Sequence, residues 1–209
     1  MKKITLQGVG ISFDTVHEQL RLAEQYLNES ALHTIGTITP RLLSAAKNEE
    51  SVRRMTEEYD IAVIGDGKLL RRADAENTLR MREIRGFDFF QEMLAMLIRN
   101  KHTVFLLSDT RERLLAFRSY LSEKYEKLTI LGEYALTDRL DDTDAAVNEI
   151  NAAMPDVILS IIDSPEQEEF LFSHRHMLGA RLWYGIGDFE KLHKKIGKSS
   201  SFFKRFVVD

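Results

Sequence analysis

Aspartates that follow short apolar runs are the residues of this sequence best placed to face a ligand. Asp66 closes "DIAVIGDG", Asp109 follows "HTVFLLS", Asp163 follows "DVILSII" and Asp188 follows "LWYGIG". A carboxylate fixed at such a point can be aimed at a substrate. Asp66 has three readings. Before glycine it is a hairpin turn when alternating strands flank it. The helix-like "KLLRRADAENTLRM" behind it favours a strand-to-helix edge, where the side chain faces a ligand or caps the helix. Lys68, Arg71, Arg72, Arg80, Arg82 and Arg85 follow, interleaved with Asp74, Glu76 and Glu83. They form either a solvated helical face or a cationic wall, since guanidinium groups bind phosphate oxygens bidentately.

"DSPEQEE", residues 163–169, offers an amide at Gln167 that could hydrogen-bond a sugar hydroxyl or a base. The same stretch also reads as a helix start, with Ser164 as N-cap, Pro165 in the first turn and acidic residues complementing the helix dipole. His174 and His176 stand two apart, a spacing that on a helix does not bring both to one metal. No HExxH, Walker A, G-x-S-x-G or dinucleotide G-x-G-x-x-G pattern occurs.

The elements that must position these residues alternate along the chain. "ITLQGVGIS" reads as a strand or hairpin, then "TVHEQLRLAEQYLNES" as helix, "ALHTIGTIT" as strand, residues 41–58 as helix and "DIAVIG" as strand. After the basic segment the alternation resumes with "HTVFLLS", "TRERLLAFRSYLSEKY", "KLTILGEY", "DAAVNEINAAM", "DVILSII", "PEQEEFLFSHRHML" and "ARLWYGIG". This predicts one α/β domain over residues 1–209, Rossmann-like and layered, with a mainly parallel sheet flanked by helices. Ligand sites of such sheets lie beyond the carboxyl ends of the strands. That rule directs attention to Asp66, Ser108-Asp109, Gly132-Glu133, Asp163-Ser164 and Gly187-Asp188.

Composition narrows the partners. The 209 residues are 44% hydrophobic and 30% charged, enough to bury a core, and the formal charge of −4 offers no overall attraction to nucleic acid. Cysteine is absent, which removes disulfides, thiolate zinc sites and a cysteine nucleophile. The N-terminus lacks the apolar core of a signal peptide, and no run approaches the ~18 apolar residues of a membrane span. A cytoplasmic protein is expected.

Taken in order, the segments resemble the WecG/TagA/CpsF family of glycosyltransferases over nearly the whole chain. "GVGISFDTVHEQLRLAEQYL" is similar to the family's opening strand and helix, and "TITPRLLSAAKNEESVRRM" to its Thr-Pro-Asn motif and following helix. "YDIAVIGDGKLLRRA" looks like the strand ending in Asp-Gly, and "REIRGFDFF" like the Gly-Thr-Asp element, at Gly86 and Asp88. "HTVFLLSDTRERLLAFRSYLSEKYEKLTILGEY" follows its strand, helix and strand. "INAAMPDVILSIIDSPEQEEFLF" is similar to the Pro-Asp strand and Gly-x-Pro-x-Gln-Glu loop, and "YGIGDFEKL" to the final strand.

The resemblance implies inverting, metal-independent transfer of an N-acetylhexosamine, typically N-acetylmannosamine, in cell-surface polysaccharide synthesis. The UDP-sugar is the donor and a polyprenyl-diphosphate-linked sugar the acceptor; no cofactor is expected. Asp66 matches the candidate base, and Thr39, Asp88 and Gln167 match positions lining the pocket, with Gly67 and Gly187 beside them. Five positions depart from the pattern: Arg41 replaces asparagine, Ser108-Asp109 replaces Gly-Gly, Asp163 replaces glycine and Glu166 replaces lysine. Side chains at such edges narrow the space that glycine leaves for a ligand. They leave a catalytically weakened member, acting as a binding or regulatory partner, as the alternative expectation. The family's basic C-terminal appendage is expected to be missing. "SSSFFKRFVVD" supplies Phe202, Phe203, Phe206, Lys204 and Arg205 for a short peripheral contact with the inner face of the membrane or for a buried end. A homo-oligomer is a further expectation of the resemblance.

Overall fold

The computed structural model describes residues 2–64, 69, 86–138 and 143–189. Asp66, Gly67, nearly all of the basic segment from Lys68 to Arg85, and residues 190–209 lie outside the described residues.

Strands form where short runs of β-branched, leucine and aromatic residues must be buried on both faces. An antiparallel hairpin, β1 (Lys2–Leu6) and β2 (Val9–Phe13), turns through Gln7 and Gly8, at φ 52° and 86°. The main sheet contains β3 (His33–Ile38), β4 (Ile61–Ile64), β5 (Thr103–Ser108), β6 (Thr129–Ala135), β7 (Val157–Ser160) and β8 (Leu182–Gly185). They lie in the order β4-β3-β8-β7-β5-β6, and every pair is parallel. The expected layered α/β fold is therefore present.

The helices are α1 (Val16–Tyr26), α2 (Pro40–Asn48), α3 (Glu50–Glu57), α4 (Gly86–Arg99), α5 (Arg111–Lys124), α6 (Thr143–Ala153) and α7 (Glu166–His174). Thr15 and Glu18 close a reciprocal capping box on α1, which satisfies two backbone donors at that end. One face of the sheet packs on α1, α4 and α5 through Ala23, Phe89, Phe90, Leu94 and Phe117. Another cluster joins α6 and α7 to the sheet through Ile150, Phe170, Leu171 and Trp183. The hairpin closes over α2 and α3 with Val9, Ile11, Leu42, Leu43 and Val52.

Two details differ from the sequence reading. Residues 41–58 form two helices, broken at Glu49, whose backbone is extended at φ −128° and ψ 117°. Gly132 and Glu133 lie inside β6 rather than beyond its end: Gly132 makes room for the Phe105 ring, and Glu133 pairs with Arg111 and Arg118.

A matched pair of clamps fastens the amino ends of the strands. Thr34 donates its amide (2.8 Å) and hydroxyl (2.9 Å) to Asp60, whose own amide donates back to Thr34 Oγ1. Thr103 and Asp156 repeat the arrangement at 2.9 and 3.1 Å. In both, a preceding histidine, His33 or His102, lies beside the carboxylate. Burial pushes the Asp156 carboxyl up, but Thr103 and His102 outweigh it and hold the group below its ordinary value.

Candidate active site

The carboxyl ends of the parallel strands gather most of the sequence-selected residues on one edge. Thr39 follows β3, Ser108 ends β5 with Asp109 behind it, Asp163 follows β7 and Gly187 follows β8. Chain connectivity singles out one point of that edge. From β5 the chain crosses to β6 on one side, and from β7 to β8 on the other, although β5 and β7 are neighbours. Their crossovers leave in opposite directions, which opens a crevice between Asp109 and Asp163.

Local structure fixes each side chain. Thr39 is the N-cap of α2, its hydroxyl accepting from Leu42 N at 3.1 Å, with Pro40 in the first turn. Gly187 has φ +72°, a conformation that favours glycine, and an added Cβ there would stand 3.9 Å from Thr39 Cγ2. Ser108 is buried and donates to Asp109 Oδ1 at 3.1 Å. Asp109 also accepts from the Thr110 amide at 2.8 Å. Asp88 lies in the first turn of α4, and its side chain is outside the described structure.

Five charges alternate along the edge. Arg113 binds Asp109 with one terminal nitrogen and Asp163 Oδ1 with the other, the latter at 3.1 Å. Arg41 binds Asp163 Oδ2 at 3.0 Å and Glu166 at 3.2 Å. The ladder Asp109, Arg113, Asp163, Arg41, Glu166 thus reaches from the end of β5 to the start of α2. Four of the five positions that depart from the family pattern carry it, and the fifth, Ser108, supports Asp109. Arg113 was missed in the sequence, although it stands four residues after Asp109 at the start of a helix, a spacing that brings the two together.

Gln167 does not face the open edge. Its side chain is 0% exposed and lies over Gly185, where an added Cβ would meet Gln167 Nε2 at 2.4 Å. Gly36, Gly185 and Ser160 stand side by side across β3, β8 and β7 and form a trough. The Tyr59 ring fills it over Gly36, and the Gln167 amide fills it over Gly185. Glu168, also fully buried, accepts from Tyr59 Oη at 2.8 Å and from Ser164 Oγ and Gln167 Nε2 at 3.3 Å each. Ser164 is therefore not the N-cap. Its hydroxyl turns inward to Glu168, and α7 begins after Pro165 with no side-chain cap. Tyr59 and Glu168 were invisible as a pair in the sequence, since Glu168 sits in an acidic run. The glycines inside β3 and β8 were the available sign of close approach.

Burial pushes the Glu168 carboxyl up, and the hydrogen bonds from Tyr59, Ser164 and Gln167 only partly oppose it. Unfolded, the group ionises near pH ~4.3; folded, it ionises higher, so its contribution to stability falls as pH rises from there toward neutrality. Glu168→Gln is expected to remove that decline, with a denaturant midpoint at pH 7 equal to or above the parent's. Parallel midpoint-against-pH curves for the two proteins would assign the decline to other groups.

Among the described residues no cluster of three or more histidine, aspartate or glutamate side chains is arranged to hold a metal ion. The edge supplies guanidinium donors, a capped helix start and a glycine turn, all suited to a polar anionic ligand.

Known proteins are similar to this sequence. Over 167 residues the chain is 25% identical to the N-acetylglucosaminyldiphosphoundecaprenol N-acetyl-beta-D-mannosaminyltransferase of Bacillus subtilis (strain 168), covering 79% of this chain and 64% of that protein. Over 187 residues it is 22% identical to the protein of the same name from Staphylococcus aureus (strain NCTC 8325 / PS 47), covering 88% of this chain and 73% of that one. The match thus spans less than two thirds of the Bacillus relative's length. Residues 4–193 match the model of the glycosyl transferase WecG/TagA/CpsF family, and the chain belongs to that family.

Proposed function

We propose that the chain transfers an N-acetylhexosamine, N-acetylmannosamine by the names of its relatives, from a UDP-sugar to a polyprenyl-diphosphate-linked acceptor carrying N-acetylglucosamine. The observation that carries this reading is the convergence of the loops after β3, β5, β7 and β8 on one edge at a switch point, in a chain of this family. Asp66 follows the last residue of β4 by two positions and is the proposed base. The acceptor hydroxyl oxygen attacks the anomeric carbon of the donor as its proton passes to the Asp66 carboxylate. The bond from that carbon to the diphosphate breaks, and UDP leaves with the electron pair. The configuration inverts, and charge on the departing diphosphate is met by guanidinium groups and backbone amides rather than by metal.

Thr39, Gly67, Asp88 and Gly187 are proposed to shape the donor pocket, while Gln167 holds the loop from Asp163 to Glu166 against the sheet. Among the described residues no helix is long and apolar enough to cross a membrane. Peripheral contact is the proposed route to a membrane-linked acceptor. The test is transfer of labelled N-acetylmannosamine from its UDP derivative to a short-chain prenyl-diphosphate-linked N-acetylglucosamine. Labelled lipid product supports the reading; absence of both product and nucleotide-sugar binding overturns it. Binding without turnover would favour the second reading, a binding partner in polysaccharide assembly, for which the carboxylates on the edge speak.

A further inference from the structure

We infer that Asp163 is an internal occupant of an anion site, holding two guanidiniums that are built to receive a diphosphate, and so sets the affinity for the donor. The inference rests on the nucleotide-sugar reading for the identity of the ligand, but not for the presence of the site. Asp163 places one carboxylate oxygen on each of two arginines, Oδ1 on Arg113 at 3.1 Å and Oδ2 on Arg41 at 3.0 Å. Two oxygens of one phosphate bridge a pair of arginines in the same manner. The arginines come from different elements, Arg113 from the first turn of α5 and Arg41 from the first turn of α2. They meet only above the crevice where the β5 and β7 crossovers part. Arg113 is held in place, its side chain 17% exposed, whereas Arg41 is 55% exposed and open to a ligand.

Charge decides the consequence. Three carboxylates, Asp109, Asp163 and Glu166, stand against two guanidiniums, a net charge of −1 before any ligand arrives. A diphosphate must displace Asp163 from both arginines and then sit beside it. Removing only the Asp163 charge brings the cluster to neutrality and frees one side of each guanidinium. Each arginine keeps its second partner, Asp109 for Arg113 and Glu166 for Arg41, so both stay aimed at the crevice. The Asp163 carbonyl accepts from the Gln167 backbone N–H at 2.9 Å, a bond that a side-chain substitution leaves in place.

The test is calorimetric titration of the full chain and of Asp163→Asn with inorganic diphosphate and, separately, with UDP and a UDP-N-acetylhexosamine. Asp163→Asn is expected to bind diphosphate about tenfold to a hundredfold more tightly, the scale of one or two charge-assisted hydrogen bonds. The gain is expected to vanish in Arg113→Gln/Asp163→Asn. Glu166→Gln makes the same change in net charge but leaves Asp163 on both arginines, so it should gain much less. Asp163→Ser is the second variant should the asparagine protein not fold. Equal or weaker diphosphate binding by a folded Asp163 variant, or an equal gain in Glu166→Gln, overturns the inference. If diphosphate tightens but neither protein binds UDP or the UDP-sugar, the site stands and the nucleotide-sugar reading falls. If UDP binds parent and variant equally well, the reading stands and the inference falls.

Discussion

Gly36→Ala is expected to lower the unfolding midpoint by about 6–12 °C, while Gly10→Ala leaves it within about 3 °C of the parent. A Cβ on Gly36 would stand 2.3–2.5 Å from three atoms of the Tyr59 ring, far inside van der Waals contact. The ring has little room to yield. It is buried, meets Phe172 edge-on at 6.0 Å, and its hydroxyl is tied to Glu168 at 2.8 Å. Moving it costs the strain of overpacking and a buried hydrogen bond, together about 3 kcal/mol. At Gly10 the nearest atom is Glu57 Oε1 at 3.7 Å, an ordinary contact. Scanning calorimetry of both variants checks the prediction. A Gly36→Ala midpoint equal to the parent's would mean that the trough has slack and that Tyr59 is not fixed by it.

Asp66→Asn is expected to lower kcat for sugar transfer by about two to four orders of magnitude, the usual contribution of a positioned base, with little change in KM for the donor. Asparagine keeps the size of the side chain and its ability to hydrogen-bond, but cannot accept the proton in the neutral pH range. A loss shared between kcat and the unfolding midpoint would make Asp66 a structural cap rather than a base. Steady-state rates and thermal unfolding of the same preparation separate the two outcomes. The choice left open by the Asp66-Gly67 dipeptide, turn or catalytic carboxylate, is decided by that comparison.

The order and type of elements were legible because apolar runs of strand length alternate with helical periodicity, and both patterns come from burial. The break at Glu49 was legible only in hindsight. Ala46 and Val52, both buried, stand six residues apart, a spacing that one helix does not put on one face. The extent of β6 was legible in "KLTILGEY", but its half-exposed Gly132-Glu133 pair read as a turn at the strand end because an edge strand carries polar residues inside its length. At the candidate site, Ser108, Asp109, Asp163 and Gly187 were pointed to by the rule for parallel sheets alone, whereas Thr39 was found only through the family resemblance. The direction of Gln167 was not legible, since an amide after an acidic cap reads as exposed until Gly185 is known to lie beneath it. Nor was the ladder, because its pairs are up to 125 residues apart and depend on strand order.

The clamps at the amino edge bear on a problem that the strands cannot solve for themselves. "IAVI", "VFLL" and "VIL" are apolar at each position and buried on both faces, so sliding one strand past its neighbour by a residue or two exchanges one apolar contact for another. Where one face is wet, such a slip exposes the core, and the pattern itself sets the alignment. Here Thr34 opposite Asp60 and Thr103 opposite Asp156 set it instead. Any other alignment strands a carboxylate beside an apolar chain and leaves two donors unmet. Two polar pairs therefore act as the index marks of the sheet, one for β3 on β4 and one for β5 on β7, and the carboxyl-edge loops inherit their positions from them.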